Sequence, residues 1–175
     1  MTLYTITRRI EIDAGHRIHL HGSKCRHLHG HRYVIDATCA ARELHAQGEQ
    51  TGMVLDFGFL KEEMLRVIDA PCDHGFLAAI DDVALLTLLA PEGVAPAEWI
   101  ERLRAEVARQ GWCATTANSL ATKLYVLPAP PTAEVLARHW FERLAPAVHA
   151  RSGGLAELAE LIVHETPNCS ARYRP

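Results

Sequence analysis

Two histidines separated by one glycine, His29 and His31, constrain the fold of this chain more than any other feature of its sequence. In an extended strand, side chains two residues apart leave the same face, so these imidazoles would form a chelating pair. A third imidazole, His16 on a neighbouring strand, would complete a set that leaves a zinc ion one open position. Gly30 would leave the metal side uncrowded. The sequence therefore predicts two neighbouring strands that build a catalytic metal site.

Solvent-exposed loop histidines are the alternative interpretation of this cluster. The chain has 11 histidines, and three of them lie nearby without an obvious role: His19, His21 and His27. The two-residue spacing of His29 and His31, with Cys25 four residues before the pair, favours a metal site.

The composition is typical of one globular domain without a membrane or nucleic-acid partner. A chain of 175 residues can bury a core without disulfides, so we expect a single domain over residues 1–175. The 18 basic side chains nearly balance the 21 acidic ones, which gives no basic surface for nucleic acid. No apolar run could span a bilayer and no signal peptide is recognisable, so a cytoplasmic location is expected. The five cysteines are odd in number and predict free thiols.

Hydrophobic periodicity predicts strands in the first part of the chain. Residues 4–12 alternate and predict a strand that delivers His16 at its end, and residues from His29 to about Arg42 predict a second strand. These two strands would form a hairpin with the metal near its open end. Residues 53–55 are expected to form a short third strand or a strand extension.

A helix is predicted after these strands. Asp56 could be catalytic, but its position at the start of an apolar stripe favours the role of helix N-cap. The helix should stop before Pro71. Asp73 and His74 follow directly, either as an acid/base pair or as part of a surface turn, and the dipeptide alone favours the turn.

The second half of the chain predicts helices and two further strands. Residues 78–122 are interpreted as an inserted helical pair that packs on the domain or on another subunit. The remaining predicted elements are a helix at 83–89, a helix from Pro96 to Gln110, a strand from Lys123 to Leu127, a helix from Ala133 to about Ala147 with Thr132 as N-cap, and a last strand from Leu155 to His164. Glu165 at the end of that strand either pairs with a cation or receives hydrogen bonds from a ligand.

Six motifs in this order resemble the 6-pyruvoyl-tetrahydropterin synthase family. They are Ile-Asp-Ala-Gly-His at 12–16, Cys-x-x-x-His-Gly-His at 25–31, Gly-Met-Val-Leu-Asp-Phe at 52–57, Asp-His at 73–74, Pro-Thr-Ala-Glu at 131–134 and Glu-Thr at 165–166. The resemblance covers nearly the whole chain apart from the helical insert. The three-residue gap between Cys25 and His29 is similar to the bacterial branch, the 6-carboxy-tetrahydropterin synthases of the queuosine precursor pathway.

The resemblance implies an α+β tunnelling fold, in which a small antiparallel sheet is backed by two helices. It implies homo-oligomers, usually of six subunits, with active sites between the subunits. It also implies a zinc-dependent lyase that converts 7,8-dihydroneopterin triphosphate to 6-carboxy-5,6,7,8-tetrahydropterin and releases acetaldehyde and triphosphate.

Carried over residue by residue, the resemblance implies three groups of site residues. The zinc ligands would be His16, His29 and His31; the catalytic residues Cys25, Asp73 and His74; and the substrate-binding residues Glu165, Thr132 and Glu134. A Cys25 thiolate could remove a proton from carbon, and His74 backed by Asp73 could carry another. The Glu165 carboxylate could accept the adjacent N–H donors of a pterin.

Two other functions stay open at the level of sequence. The chain could be a 6-pyruvoyl-tetrahydropterin synthase or another pterin-converting lyase of the same fold, since the insert makes altered specificity credible. It could also be a non-catalytic zinc- or pterin-binding protein, in which Cys25 would close the metal site as a fourth ligand. The triphosphate would need cations, and three lie close in sequence without an assignment: Arg17, Lys24 and Arg26.

Overall fold

The computed structural model describes residues 2–175. The strands within this range are β1 (Tyr4–His16), β2 (His29–Ala41), β3 (Gly75–Ala79), β4 (Cys113–Thr115), β5 (Lys123–Leu127), β6 (Glu157–Thr166) and β7 (Cys169–Tyr173). The helices are α1 (Phe57–Met64), α2 (Ala70–Cys72), α3 (Val83–Leu89), α4 (Pro96–Gln110) and α5 (Ala133–Arg151). A π-helical turn (Leu65–Asp69) joins α1 to α2, and a 3₁₀ turn spans Lys24–Arg26.

All seven strands belong to one mixed sheet in the order β4-β5-β3-β1-β2-β6-β7. Strand β3 runs parallel to both β1 and β5. The pairs β2–β6, β6–β7 and β4–β5 are antiparallel. The predicted α+β class is confirmed, and the parallel β3 makes the sheet mixed instead of wholly antiparallel.

The chain divides into two compact units. The first comprises the described residues up to Glu11 together with Arg32–Ala70 and Leu136–Pro175. Its largest fully buried side chains include Tyr33, Ile35, Leu60, Met64, Ile68 and Trp140. Within this unit the Arg143 Nη1 of α5 donates to the Val67 carbonyl of the π turn at 3.0 Å.

The second unit comprises Ile12–His31 and Pro71–Val135. One apolar cluster fills it, formed by Leu85, Leu86 and Leu89 of α3, Trp99, Ile100, Leu103 and Val107 of α4, and Ala78, Cys113, Leu124 and Val126 of the strands. The two predicted insert helices therefore pack on β3, β4 and β5 of their own unit. The expectation of a single domain stays a prediction.

The predicted strand at residues 53–55 is wrong. Val54 and Leu55 are buried, but the local backbone makes its hydrogen bonds within a turn. His45 N–H donates to Met53 O at 3.0 Å, and Gly52 N–H donates to His45 O at 2.8 Å. These bonds close residues 45–53 into a loop, and no strand is formed at residues 53–55.

The predicted helix end before Pro71 is also wrong. The N–H of Ala70 donates to the Leu65 carbonyl, five residues back, so the helix widens by one residue in the π turn and continues to Cys72. Pro71 has no N–H to donate to the Val67 carbonyl four residues back, and that carbonyl accepts a hydrogen bond from Arg143 instead.

Three strands were not expected from the sequence, namely β3, β4 and β7. The predicted last strand is β6, which begins at Glu157 and ends at Thr166, and β7 returns antiparallel beside it. Helix α5 continues four residues beyond Ala147, to Arg151, where Gly153 and Gly154 follow with positive φ. Among the described residues, no helix combines the length and apolar character needed to cross a membrane.

Candidate metal centre

Three histidines of the second unit converge where β1 ends and β2 begins. His16 is the last residue of β1, and His29 and His31 open β2. Their ring centroids lie 4.5, 5.1 and 5.0 Å apart, and one nitrogen from each ring lies within 4.8 Å of the others. The structure thus brings the three predicted ligands together. They lie at the end of the hairpin that residues 17–28 close, so the predicted open end is wrong.

Hydrogen bonds to backbone carbonyls fix two of these rings. His16 Nδ1 donates to Pro131 O at 2.9 Å, and His29 Nδ1 donates to His27 O at 2.8 Å. A carbonyl only accepts, so each neutral ring carries its proton on Nδ1 and a lone pair on Nε2. Such bonds are the usual orienting contacts of metal-binding histidines.

The two Nε2 atoms face each other at 3.1 Å. Two lone pairs at this distance repel unless a cation or a proton lies between them. A tetrahedral zinc ion with bonds of about 2.1 Å would hold neighbouring nitrogens about 3.4 Å apart. The donor set and its spacing therefore fit a divalent metal, held by His16, His29 and His31 with one position left for another ligand.

His16 is the most deeply placed of the three, with 1% of its surface exposed. Burial lowers the pKa of His16 to about 4, the Pro131 hydrogen bond opposes that shift, and the charges of His29 and His31 reinforce it. His16 is therefore neutral at physiological pH, which is the form that binds a metal.

Gly30 allows two backbones to approach closely. A Cβ at this position would lie 2.9 Å from the carbonyl oxygen of Ala14 in β1. The predicted reason for the glycine, an uncrowded metal side, is therefore wrong, because the missing side chain would point at β1. Gly15 is similar, since its Cβ would lie 2.7 Å from the Phe76 ring of β3.

Cys25 lies in the 3₁₀ turn between the two histidine-bearing strands and is half-buried. It is not part of the metal-capable group found within residues 2–175. Its carbonyl accepts a hydrogen bond from Ile18 N–H at 2.7 Å, which closes the loop on itself. All five cysteines are free thiols, as predicted.

Asp73 and His74 form both a surface turn and a hydrogen-bonded pair. Asp73 Oδ1 accepts from Asp13 N–H at 2.9 Å, and Asp73 Oδ2 accepts from His74 Nδ1 at 2.7 Å. His74 N–H donates back to Asp13 O at 2.8 Å, and His74 is held at a φ of 55°. This left-handed conformation is uncommon outside glycine, and the hydrogen bonds to Asp13 and Asp73 hold the His74 backbone and ring in it.

Asp73 stays ionised in this turn. Burial raises the pKa of Asp73, but the hydrogen bonds from Asp13 N–H and His74, together with the charges of His74 and Lys123, outweigh it and lower the pKa below 3.8. A carboxylate on one ring nitrogen leaves His74 Nε2 as the atom that can exchange a proton. The pair can therefore act as an acid or a base.

The predicted substrate-binding residues lie in two places. Thr132 Oγ1 accepts from Val135 N–H at 3.3 Å, so Thr132 caps α5, and Glu134 lies in the first turn of that helix. Glu165 lies near the end of β6, in the first unit. Their roles toward a substrate stay predictions.

Two contacts in this region were not expected from the sequence. The Pro131 carbonyl binds His16, and the Asp82 carboxylate binds Arg17. Asp82 accepts from Arg17 Nε at 2.6 Å and from Arg17 Nη2 at 2.5 Å, so one of the three unassigned cations has a carboxylate partner. The Pro131 carbonyl lies 115 residues from His16, so no sequence pattern indicates their contact. The position of Asp82 before an apolar helix indicates only a helix N-cap.

Solved structures share this architecture. An uncharacterized protein from Wolinella succinogenes superposes with a TM-score of 0.72 at 22% identity and covers 99% of both chains. The 6-pyruvoyl tetrahydropterin synthase of Caenorhabditis elegans superposes with a TM-score of 0.59 at 23% identity over 100% of this chain and 97% of its own. The fold and the histidine cluster thus define a tunnelling-fold protein with a metal-capable site.

The chain belongs to the 6-pyruvoyl tetrahydropterin synthase family, whose profile matches residues 5–175. A relative from Rickettsia felis, named 6-carboxy-5,6,7,8-tetrahydropterin synthase, is 34% identical over 163 residues, which are 93% of this chain and 94% of the relative. A relative of the same name from Haemophilus influenzae is 25% identical over 172 residues, 98% of this chain and 99% of its own length. These matches support an enzyme of the pterin synthase type.

Proposed function

We propose that this protein is a zinc-dependent 6-carboxy-5,6,7,8-tetrahydropterin synthase. It would convert 7,8-dihydroneopterin triphosphate to the 6-carboxy product with release of acetaldehyde and triphosphate. The observation that carries the proposal is the set of three histidine rings, two of which direct Nε2 lone pairs at each other from carbonyl-fixed positions. The shared name of the Rickettsia and Haemophilus relatives supports this product.

A catalytic metal fits this donor set better than a structural one. Three protein ligands leave the fourth zinc position for substrate, whereas a structural site uses four. Cys25, the predicted candidate for a fourth ligand, lies outside the group. A bound zinc ion would supply Lewis-acid polarisation of the oxygen atoms on the substrate side chain.

The protein groups would bind the substrate and move its protons. Cys25, as thiolate, removes a proton from carbon. His74 delivers or accepts a second proton through Nε2, while Asp73 holds Nδ1 and stabilises the protonated ring. Glu165 accepts the ring N–H and amino donors of the pterin, and Thr132 and Glu134 also contribute to substrate binding.

The remaining features of the proposal concern the cell and the assembly. The enzyme would act in the synthesis of queuosine precursors in the cytoplasm. It would work as a homo-oligomer, with six subunits favoured, and without a nucleic-acid or membrane partner.

Product analysis tests the proposed reaction. The purified protein, loaded with zinc, is incubated with 7,8-dihydroneopterin triphosphate, and both the pterin and any acetaldehyde are identified by mass spectrometry. We expect 6-carboxy-5,6,7,8-tetrahydropterin and acetaldehyde in equal amounts. A 6-pyruvoyl product without acetaldehyde would assign the chain to the pyruvoyl-forming reaction. The absence of any turnover would indicate a non-catalytic binding protein.

Metal analysis tests the proposed ligands. The His29→Ala variant should lose most of the bound zinc, as measured by elemental analysis after dialysis against buffer that contains only a trace of zinc. His27→Ala is the matched control, because His27 is exposed and offers only its backbone carbonyl to His29. Equal zinc content in both variants would reject the three-histidine site.

A further inference from the structure

The helical insert is tied to the loop that carries Cys25 by a buried ion pair. Arg17 Nε and Nη2 donate to Asp82 Oδ2 and Oδ1 at 2.6 and 2.5 Å. The Asp82 side chain is 2% exposed and the Arg17 side chain 23%, so the pair is largely shielded from water. A planar guanidinium bound through two parallel hydrogen bonds fixes orientation as well as distance.

Asp82 is itself firmly held at the start of the insert. Its Oδ1 accepts from Leu85 N–H at 3.2 Å and caps α3, while its own N–H donates to Ala79 O at 3.1 Å. Helix α3 then buries Leu85, Leu86 and Leu89 in the apolar cluster of the second unit. The Asp82 carboxylate is therefore held by a helix that packs into the apolar cluster.

The charge on Asp82 is maintained despite burial. Burial raises the pKa of Asp82, but the hydrogen bonds from Arg17 and Leu85 N–H, with the charges of Arg17 and His19, outweigh it and lower the pKa. A second contact joins the same loop to the same end of the insert, because His19 Nε2 lies 3.7 Å from Asp81 Oδ2.

Arg17 lies in the chain between the metal-capable histidine His16 and the loop residues that contact Cys25. It directly follows His16, and the next residue, Ile18, donates its N–H to the carbonyl of Cys25 at 2.7 Å. His21 N–H in turn donates to Ile18 O at 2.9 Å, so residues 17–25 form a compact loop. The Arg17–Asp82 pair therefore fastens this loop at its first residue.

We propose that Asp82 and Arg17 are positioning residues, through which the helical insert holds the Cys25 loop in place beside the histidine cluster. This inference rests on the proposed function in taking Cys25 as the base. Two of the five N–H donors of Arg17 are directed at Asp82, so its proposed role is to hold the loop and not to bind the triphosphate.

The test is the rate at which iodoacetamide alkylates Cys25 in the metal-free protein, resolved from the other cysteines by peptide mass spectrometry. Asp82→Asn keeps the cap acceptor but removes the charge, and the loosened loop should raise the Cys25 rate by about fivefold, the change that a loss of about 1 kcal/mol produces. Arg17→Met should raise the rate similarly. The double variant should add little to either single change, because both remove the same contact.

Glu160→Gln is the matched control. Glu160 is also nearly buried and pairs with two arginines, Arg172 at 3.1 Å and Arg174 at 2.5 Å, but it lies in β6 of the first unit. Its loss should leave the Cys25 alkylation rate unchanged. An unchanged rate in folded Asp82→Asn, or an equal rise in Glu160→Gln, would overturn the inference.

Steady-state kinetics separate positioning from substrate binding. In the zinc-loaded enzyme, Asp82→Asn should lower kcat and leave KM for the triphosphate substrate unchanged. A triphosphate role for Arg17 would instead raise KM in Arg17→Met with little change in kcat, and that result would reject the inference. Should Asp82→Asn fail to fold, Arg17→Lys keeps the charge without the paired geometry and should show the same changes more weakly. Alkylation does not require turnover, so it reports on the loop even if the proposed reaction is wrong.

Discussion

Cys25 and His29 are separated by three residues, yet only His29 contributes a nitrogen to the metal-capable group. The difference arises in the backbone, because Cys25 sits in a 3₁₀ turn and His29 begins a strand. A thiol that is not a metal ligand stays free to exchange protons, which is the role proposed for Cys25 as a base.

Replacing Cys25 by Ala should separate these two roles. We expect retained zinc and fold, with kcat lowered by about 100-fold or more, the contribution typical of a general base. Cys169→Ala is the control, since Cys169 is the exposed thiol of β7 and should tolerate the change. Release of zinc from Cys25→Ala, measured by elemental analysis, would make Cys25 a fourth ligand.

Gly30→Ala should destabilise the protein through a backbone clash. Its Cβ would lie 2.9 Å from Ala14 O, so β1 and β2 would have to move apart, at a cost of about 1–3 kcal/mol in the free energy of unfolding. Gly22→Ala is the matched control, because nothing lies within 4 Å of its added Cβ, and it should raise that free energy by no more than about 1 kcal/mol. Equal urea midpoints for the two variants would contradict this explanation.

Residue spacing was sufficient to predict the histidine cluster but not what holds it. The two-residue period of a strand places His29 and His31 on one face whatever the rest of the chain does. The Pro131 carbonyl that holds His16 lies 115 residues away, and the Asp82 partner of Arg17 lies 65 residues away. Such contacts depend on the tertiary fold, and no local pattern encodes them.

At the scale of elements, predictability followed the clarity of the periodic signal. Strand β1 alternates over 13 residues and α4 shows a full amphipathic pattern between Pro96 and Gly111, and both were predicted. Strand β3 is only five residues long and is paired on both edges, so it reads as a short apolar run without alternation. The π turn before Pro71 was missed because proline normally predicts a helix end.

Helix α4 offers a test of the capping argument. Its N-cap is Ala95, an exposed residue with extended backbone and no side-chain hydrogen bond to the first turn. Ala95→Ser supplies an acceptor for the free N–H groups there and should raise the free energy of unfolding by about 1 kcal/mol. Asp56→Ala at α1 is the reverse change, because Asp56 accepts from Gly58 and Phe59 N–H, and should lower it by a similar amount. Denaturation by urea measures both, and a lower midpoint for Ala95→Ser would contradict the argument.

At the scale of the whole molecule, the buried His16 and the half-buried His139 make stability depend on pH. Burial lowers the pKa of His16 to about 4, and burial together with the charges of Arg143 and Arg138 lowers the pKa of His139 to about 4. The unfolded chain takes up these protons near pH 6.5, so it binds more protons than the folded chain between about pH 6.5 and 4. Stability therefore falls as the pH is lowered through this range.

The urea midpoint of the metal-free protein should decrease from pH 7 to pH 4.5. Each histidine contributes at most about 1.4 kcal/mol per pH unit to the slope. His139→Gln should reduce that slope and leave the His16 contribution, and an unchanged slope would contradict the assignment. Asp73 and Asp82 are also needed in their deprotonated form, but their pKa values lie below 3.8, so their contribution to stability is lost only at lower pH.

The groups that orient His16 and His29 are carbonyls of the main chain, at Pro131 and His27. An orienting aspartate or glutamate can be lost through one codon change, but a peptide carbonyl persists whatever side chain is encoded at its position. Substitutions at positions 131 and 27 should therefore leave the tautomers of these two rings unchanged. Insertions or deletions that redirect the chain near residue 131 would be needed to disturb them, so sequence divergence there should be tolerated as long as loop length is kept.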